Sequence, residues 1–212
     1  MDLIAPLLSV PVTHAALAAG GGYLLGSVIF GLITARLAGL GDIRSIGSGN
    51  IGATNVLRTG NKGIALLTLI GDAGKGALAV WLASQFLSPE AGILAGMAAF
   101  IGHLFPIWIG FKGGKGVATY LGIVAALSST LGLIACLVWI HMLLIFRYSS
   151  LGSLTTALAT PPLALYVGAP GLLLPLGVMS LLIFWRHREN IVRLLNRTEP
   201  RVFQKKSEQE SS

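Results

Sequence analysis

Three short stretches hold most of the residues able to do chemistry in this chain. The first is Gly47-Ser48-Gly49-Asn50-Ile51-Gly52-Ala53-Thr54-Asn55-Val56-Leu57-Arg58-Thr59-Gly60. Its glycines let backbone N–H groups approach a ligand, and its Ser, Thr, Asn and Arg side chains add donors without balancing acids. That combination suits an anionic, oxygen-rich ligand. Gly47, Gly49 and Gly52 have the formal spacing G-x-G-x-x-G, but a dinucleotide fingerprint needs a preceding strand and a βαβ unit. Here an apolar, helix-length stretch precedes it, so the dinucleotide reading is rejected.

The second stretch is Phe111-Lys112-Gly113-Gly114-Lys115-Gly116-Val117. It lacks the Ser or Thr after Gly-Lys, and the upstream Gly, of a nucleotide-binding P-loop. Nucleotide hydrolysis is therefore disfavoured. Phosphate binding is still expected: Lys115 supplies a point charge, and a helix starting near Val117 turns its positive dipole end toward the same place. The third stretch, Arg186-His187-Arg188-Glu189-Asn190, puts His187 and Asn190 three apart, on one helix face. A histidine there can orient or deprotonate a hydroxyl. The plain alternative is a belt of basic residues at a membrane edge.

Smaller signals surround these. Asp72 and Lys75 lie inside an apolar stretch and read as a self-neutralising structural pair. Ser149 and Ser150 follow Arg147 and can line a pocket. His103 suits a packing or a ligand role equally, whereas His14 and His141 read as structural. No His, Cys or acid cluster has metal-ligand spacing, and no Ser-His-acid order stands out, so neither a metal nor a cofactor is expected. The single Cys136 excludes an intrachain disulfide.

The elements that position these stretches are membrane helices. Of 212 residues, 54% are apolar and only 11% charged, against about 25% charged in soluble domains. The mean hydropathy is +0.79. The formal net charge of +7 does not indicate nucleic acid, because the basic residues collect at the ends of apolar stretches. Every other polar break is basic: Arg36 to Lys62, Lys112 to Lys115, Arg147, and Arg186 to Lys206. The intervening breaks carry no Lys or Arg. The positive-inside bias then puts the N-terminus outside and the C-terminus inside.

Spans are expected from about His14 to Leu37, Ile64 to Leu87 and Ala91 to Ile109. Val117–Phe146 and Leu151–Trp185 are harder. A single 30-residue helix would run about 45 Å, too long for the bilayer core unless tilted. Breaks at Ser128-Ser129 and at Gly168-Ala169-Pro170-Gly171 can divide each into two short helices, the preferred reading; kept single, the two stretches give five spans and leave Arg147 outside. The expected fold is all-α: a polytopic membrane protein of seven transmembrane helices, some short, with re-entrant or interfacial cytoplasmic loops. Residues 1–198 form one domain, and 199–212 read as a polar, disordered tail. The absence of a basic n-region argues against a cleaved signal peptide. Gly22, Gly26, Gly31 and Ala35 suggest close helix packing in the first span.

Taken together, these strings resemble the bacterial acyl-phosphate:glycerol-3-phosphate acyltransferase family. The resemblance covers nearly the whole chain. It includes Tyr23-Leu-Leu-Gly-Ser27, Gly47 to Arg58, Gly102-His-Leu-Phe-Pro106, Phe111 to Thr119, Arg147-Tyr-Ser-Ser-Leu151 and Arg186 to Ile191. Phe30 stands where such proteins often carry Pro, which bears on a helix kink rather than on chemistry.

The resemblance implies acyl transfer from acyl phosphate to the 1-hydroxyl of sn-glycerol 3-phosphate, at the cytoplasmic face of a bacterial inner membrane. The products would be 1-acylglycerol 3-phosphate (lysophosphatidic acid) and phosphate. Implied partners are the two substrates and membrane lipids; the sequence carries no signal for an oligomeric state. By the family pattern, Arg58, Lys115, Ser150, His187 and Asn190 hold glycerol 3-phosphate. Ser48 and Asn50 sit near the acyl phosphate and the developing oxyanion. Asn55, Lys112, Gly113, Gly114, Gly116 and Thr119 complete the substrate-binding set. The base is either His187 or a phosphate oxygen of the donor. The main alternative is a transporter of a small phosphorylated anion, which short, Gly-interrupted helices also suit. A phosphatase or phosphotransferase would need a metal cluster or a clear nucleophile.

Overall fold

The chain's own residues dictate where its helices stop, and a computed structural model covering residues 5–46 and 48–202 shows each stop. After a short helix α1 (Ala5–Leu8), the elements that matter are α2 (Val12–Ser27), α3 (Phe30–Leu37), α4 (Ala53–Leu57), α5 (Lys62–Phe86) and α6 (Pro89–Leu104). They continue with α7 (Val117–Leu127), α8 (Ser129–Phe146), α9 (Ser149–Tyr166), α10 (Leu173–Arg186) and α11 (Arg188–Leu195). Among the described residues there is no strand.

The division of the two long apolar stretches is the expected one. Ser128 ends α7 in an extended conformation, and its hydroxyl accepts the Leu131 N–H at the start of α8. That N-cap satisfies one orphan donor of the new helix. Between α9 and α10, Gly168 takes φ +75° and a 3₁₀ turn spans Pro170–Leu172.

The first expected span differs. It is broken at Val28 and Ile29, both extended, without a proline. In a bilayer such a break survives only if its freed backbone groups find partners. Here the Val28 carbonyl accepts from Lys75 Nζ at 2.5 Å, and the Phe30 N–H donates to Asp72 Oδ1 at 3.4 Å. The third expected span ends as helix at Leu104; Ile107–Ile109 is a separate 3₁₀ turn.

By length and composition, four helical segments can cross a membrane: Val12–Leu37, Lys62–Phe86, Pro89–Ile109 and Ser129–Phe146. A fifth is α10 taken with α11, which bends from it by 60°. Helix α7 is too short to count, and α9 is diluted by Ser, Thr and Pro. The chain is thus a multi-pass helical membrane protein. Helix α8 shows lipid what a lipid-facing helix should: Leu133, Leu137, Ile140 and Leu144 are exposed along it.

The helices meet through small residues and a large core. At Gly22 and Gly26 the backbones of α2 and α6 lie so close that an added Cβ would come within 2.3 Å of Ala95 O and 1.9 Å of Ala99 O. Close approach of this kind is how helices gain dispersion contact where lipid supplies no hydrophobic drive. Elsewhere Phe100, Tyr120, Ile123, Leu131, Leu176, Met179 and Ile183 pack α6, α7, α8 and α10 together.

One expectation needs correction. The polar tail does not begin at residue 199. Glu199 and Val202 are buried, and the Val202 N–H donates to Arg147 O at 2.7 Å. Residues 203–212 lie outside the described residues, as does Gly47.

Candidate active site

Asn55 organises the first loop. It sits in α4, 1% exposed, and every polar atom of its carboxamide is engaged. Its Nδ2 donates to Ile43 O at 2.7 Å and Ile46 O at 3.2 Å. Its Oδ1 accepts from Ser48 N at 3.1 Å, from Ser48 Oγ at 3.4 Å and from Arg58 Nη1 at 3.3 Å. Asn55 therefore binds the loop to itself and sets Ser48 and Arg58 side by side. Its buried donors and acceptors are spent on the protein, and it braces the loop. Asn50 uses its Oδ1 to accept from Ile51 N, which leaves the Nδ2 group as the donor it can offer. Thr54 Oγ1 lies 3.0 Å from Ser149 Oγ and ties this loop to the start of α9.

The glycine loop before α7 is held from both sides. The Gly113 N–H donates to Leu104 O and the Gly114 N–H to His103 O, each at 3.1 Å. On the other side, Arg186 donates from Nη2 to Gly113 O at 2.6 Å and from Nε to Gly114 O at 3.0 Å. The amides of Gly113 and Gly114, expected to face a phosphate, are thus occupied. What the loop delivers is Lys115, just before the N-terminus of α7 and its unpaired first-turn amides. Gly116 takes φ +80°, a left-handed conformation that starts the helix immediately after the lysine.

Lys115 Nζ donates to Asn190 Oδ1, which brings the second stretch onto the third. His187 lies just past the last turn of α10 and is buried. Its Nδ1 stands 2.8 Å from Ile183 O. A carbonyl can only accept, so Nδ1 carries the hydrogen and Nε2 keeps its lone pair. Burial and then the Lys115 charge push this imidazole down to about 4. At neutral pH it is uncharged and accepts at Nε2.

These groups converge on an acid the sequence reading overlooked. Glu199 Oε1 accepts from Ser150 Oγ and from Asn190 Nδ2, both at 2.6 Å. Its Oε2 accepts from Arg193 Nε at 2.8 Å. Arg58 reaches the same segment, its Nη2 donating to Pro200 O at 3.5 Å. Arg58, Lys115 and Arg193 all feel the Glu199 charge. Burial opposes the ionised carboxyl, but its hydrogen bonds from Ser150, Arg193 and Asn190 pull Glu199 below the usual carboxylate range. Three cations around one carboxylate leave an excess close to the charge of a phosphate dianion. Arg193 was legible in principle: it lies three residues after Asn190, on the same helix face.

The structure therefore brings Arg58, Lys115, Ser150, His187 and Asn190 together, with Ser48 joined to them through Asn55. It does not bring in Lys112, which is exposed. It also moves Thr119 away: its side chain is fully buried and its hydroxyl lies 3.2 Å from His103 Nδ1. Among the described residues no group of His, Cys, Asp or Glu could hold a metal.

Comparison with known proteins identifies the family. The family profile described as glycerol-3-phosphate acyltransferase matches residues 16–197. A glycerol-3-phosphate acyltransferase of Maricaulis maris (strain MCS10) is 56% identical over 191 residues, 90% of this chain and 88% of its own. One from Mesorhizobium japonicum is 55% identical over 181 residues, 85% of this chain and 92% of its own. Among solved structures, that of PlsY, an integral membrane glycerol 3-phosphate acyltransferase in its glycerol 3-phosphate form, superposes with a TM-score of 0.84. It shares 40% identity over 90% of this chain and 99% of its own. Its lysophosphatidic acid form gives a TM-score of 0.80 and 38% identity, over 88% and 94% of the two chains.

Proposed function

The chain belongs to the glycerol-3-phosphate acyltransferase family, and from that premise we propose the reaction and the role of each residue. The protein acylates glycerol 3-phosphate, taking the acyl group from an acyl phosphate. The 1-hydroxyl oxygen bonds to the acyl carbon, the acyl C–O bond to phosphate breaks, and 1-acylglycerol 3-phosphate and inorganic phosphate leave. The site faces the cytoplasm of a bacterial inner membrane, with seven spans, the N-terminus outside and the C-terminus inside.

The single observation that carries this reading is the convergence of Arg58, Lys115, Ser150, His187 and Asn190 around Glu199. Arg58 and Lys115 hold the phosphate of glycerol 3-phosphate. Ser150 and Asn190 exchange their bonds to Glu199 for bonds to the substrate. His187 accepts the 1-hydroxyl at Nε2 and aims its oxygen. Ser48 and Asn50 donate toward the acyl phosphate and the oxyanion that develops on its carbonyl.

Of the two candidate bases, the donor phosphate is the one proposed. An imidazole held at about 4 is a poor acceptor of a full proton at neutral pH. The departing phosphate is a better one: breaking the acyl C–O bond frees an oxygen of the dianion that must gain a proton for the group to leave as hydrogen phosphate. The hydroxyl proton therefore passes to a phosphate oxygen of the donor. A mixed anhydride is already activated, so positioning and charge stabilisation suffice without a nucleophile. The Asp72–Lys75 pair is spent on itself and on the break in the first span, which offers nothing to a transported anion.

The test is direct. Detergent-purified protein is incubated with glycerol 3-phosphate and either palmitoyl phosphate or palmitoyl-CoA, in the presence of a chelator. Ester formation from the acyl phosphate alone is expected. Ester from the thioester alone, or none from either, refutes the proposal.

A further inference from the structure

The buried Asp72–Lys75 pair belongs to a larger cluster that the reaction scheme does not use. Lys75 Nζ donates to three acceptors, the full number an ammonium can serve: Val28 O at 2.5 Å, Asp72 Oδ1 at 2.8 Å and His103 Nδ1 at 2.9 Å. Because Nδ1 accepts, the proton of the His103 ring sits on Nε2. That edge of the ring lies against Gly114, where an added Cβ would come within 2.3 Å of Nε2. All of Asp72, Lys75, His103 and Thr119 are buried.

Two attachments flank Lys115. Before it, the Gly114 N–H donates to the His103 carbonyl at 3.1 Å. After it, Thr119 in the first turn of α7 reaches His103 Nδ1 at 3.2 Å. So residue 103 holds both flanks of Lys115, the near one through its main-chain carbonyl and the far one through its ring and the Thr119 hydroxyl, and that ring is fastened to Lys75. The same lysine caps the break at Val28, which sets the direction of α3. Helix α3 in turn seats the first loop: Gly31 lies so close to Ile51 that an added Cβ would come within 1.8 Å of its carbonyl oxygen.

The geometry points to Asp72, Lys75 and His103 as a positioning network that fixes how far the Lys115 loop stands from the Arg58 loop. None of the three touches substrate. They set the separation of the two cations that grip its phosphate, so they govern affinity for glycerol 3-phosphate. The inference rests on the proposed function for the identity of the ligand. A charged pair inside a membrane costs free energy unless it is compensated. Structural capping of the helix break accounts for Lys75 and Asp72 alone; it does not account for a histidine ring that joins Lys75 to Thr119 and packs against Gly114, on either side of Lys115.

The experiment compares the parent with His103→Phe, His103→Asn and Thr119→Val in detergent. It reads the Kd for glycerol 3-phosphate by calorimetry, the melting temperature, and KM and kcat for both substrates. His103→Phe removes Nδ1; His103→Asn restores an acceptor near its place. The network predicts a Kd at least tenfold weaker for His103→Phe, with the KM for acyl phosphate changed less than threefold. His103→Asn should recover to within threefold of the parent. Thr119→Val, nearly isosteric and safe for folding, should weaken Kd about threefold and keeps the test decisive if the Phe variant does not fold. A lower melting temperature with unchanged Kd in the folded variants overturns the inference, because that is what a purely structural cluster would give. A parent that binds glycerol 3-phosphate but forms no ester refutes the functional reading alone; a parent that does not bind it overturns both.

Discussion

Lys115 should write its burial into the pH dependence of substrate binding. Burial, then the Arg193 charge, pulls its ammonium from an ordinary 10.5 to about 8, with Glu199 opposing. In the empty site at pH 9, about one Lys115 in eleven is charged; at pH 7, about nine in ten are. A phosphate dianion beside the ammonium favours the charged form and returns its pKa toward the ordinary value. Binding at pH 9 must therefore take up close to one proton, and the Kd for glycerol 3-phosphate should rise about tenfold from pH 7 to pH 9. The assay is calorimetry at both pH values, in buffers of different ionisation enthalpy, so that proton uptake is read directly. Lys115→Arg keeps its charge across the range; its affinity can start lower, because a guanidinium does not replace a point charge, but it should stay flat with pH. An affinity of the parent that does not change up to pH 9, or an equal alkaline loss in Lys115→Arg, refutes the reasoning. The sign for stability follows from the same shift. The unfolded chain holds more protons than the folded one between about 8 and 10.5, so the ligand-free protein should gain stability as pH climbs through that window.

Arg58→Ala should raise the KM for glycerol 3-phosphate by about one to two orders of magnitude, the worth of a hydrogen bond to a charged group; steady-state kinetics at saturating acyl phosphate checks it. Asn55→Leu strands Ile43 O, Ile46 O and the Ser48 N–H, each an orphaned polar group costing about 1–3 kcal/mol. It should lower the melting temperature and weaken both substrates together, because Ser48 and Arg58 lose their common brace. Glu199 has its carboxyl held below the usual range, so its contribution to stability is present above its ordinary 4.5 and is lost as pH falls toward the folded value. Glu199→Gln should remove that acid-side dependence, which melting curves taken from about pH 3 to about pH 6 would show.

Much of this site was legible in the sequence because membrane proteins separate polar from apolar residues so sharply. The three polar stretches could not be spread through a bilayer, so their convergence at one interface followed from charge bias alone. The same logic located the breaks at Ser128 and at Gly168–Gly171. What was missed depends on distance in three dimensions. Thr119 is one turn from Lys115 in sequence, yet the rotation of α7 turns it inward to His103. Gly113 and Gly114 offered amides, but the carbonyls of α6 take them. Glu199 looked like the first residue of a polar tail, because nothing local shows that Ser150, 49 positions earlier, waits for its carboxylate. The break at Val28 has Gly26 and Gly31 beside it but no Pro, and the partner that satisfies its freed carbonyl, Lys75, lies on another helix.

The most direct test is a structure of this protein with glycerol 3-phosphate bound. The account predicts the phosphate in contact with both Arg58 and Lys115, with oxygens about 3 Å from their nitrogens, and the 1-hydroxyl on His187 Nε2. A phosphate resting on the exposed Lys112, or one that leaves Arg58 and Lys115 untouched, would contradict it.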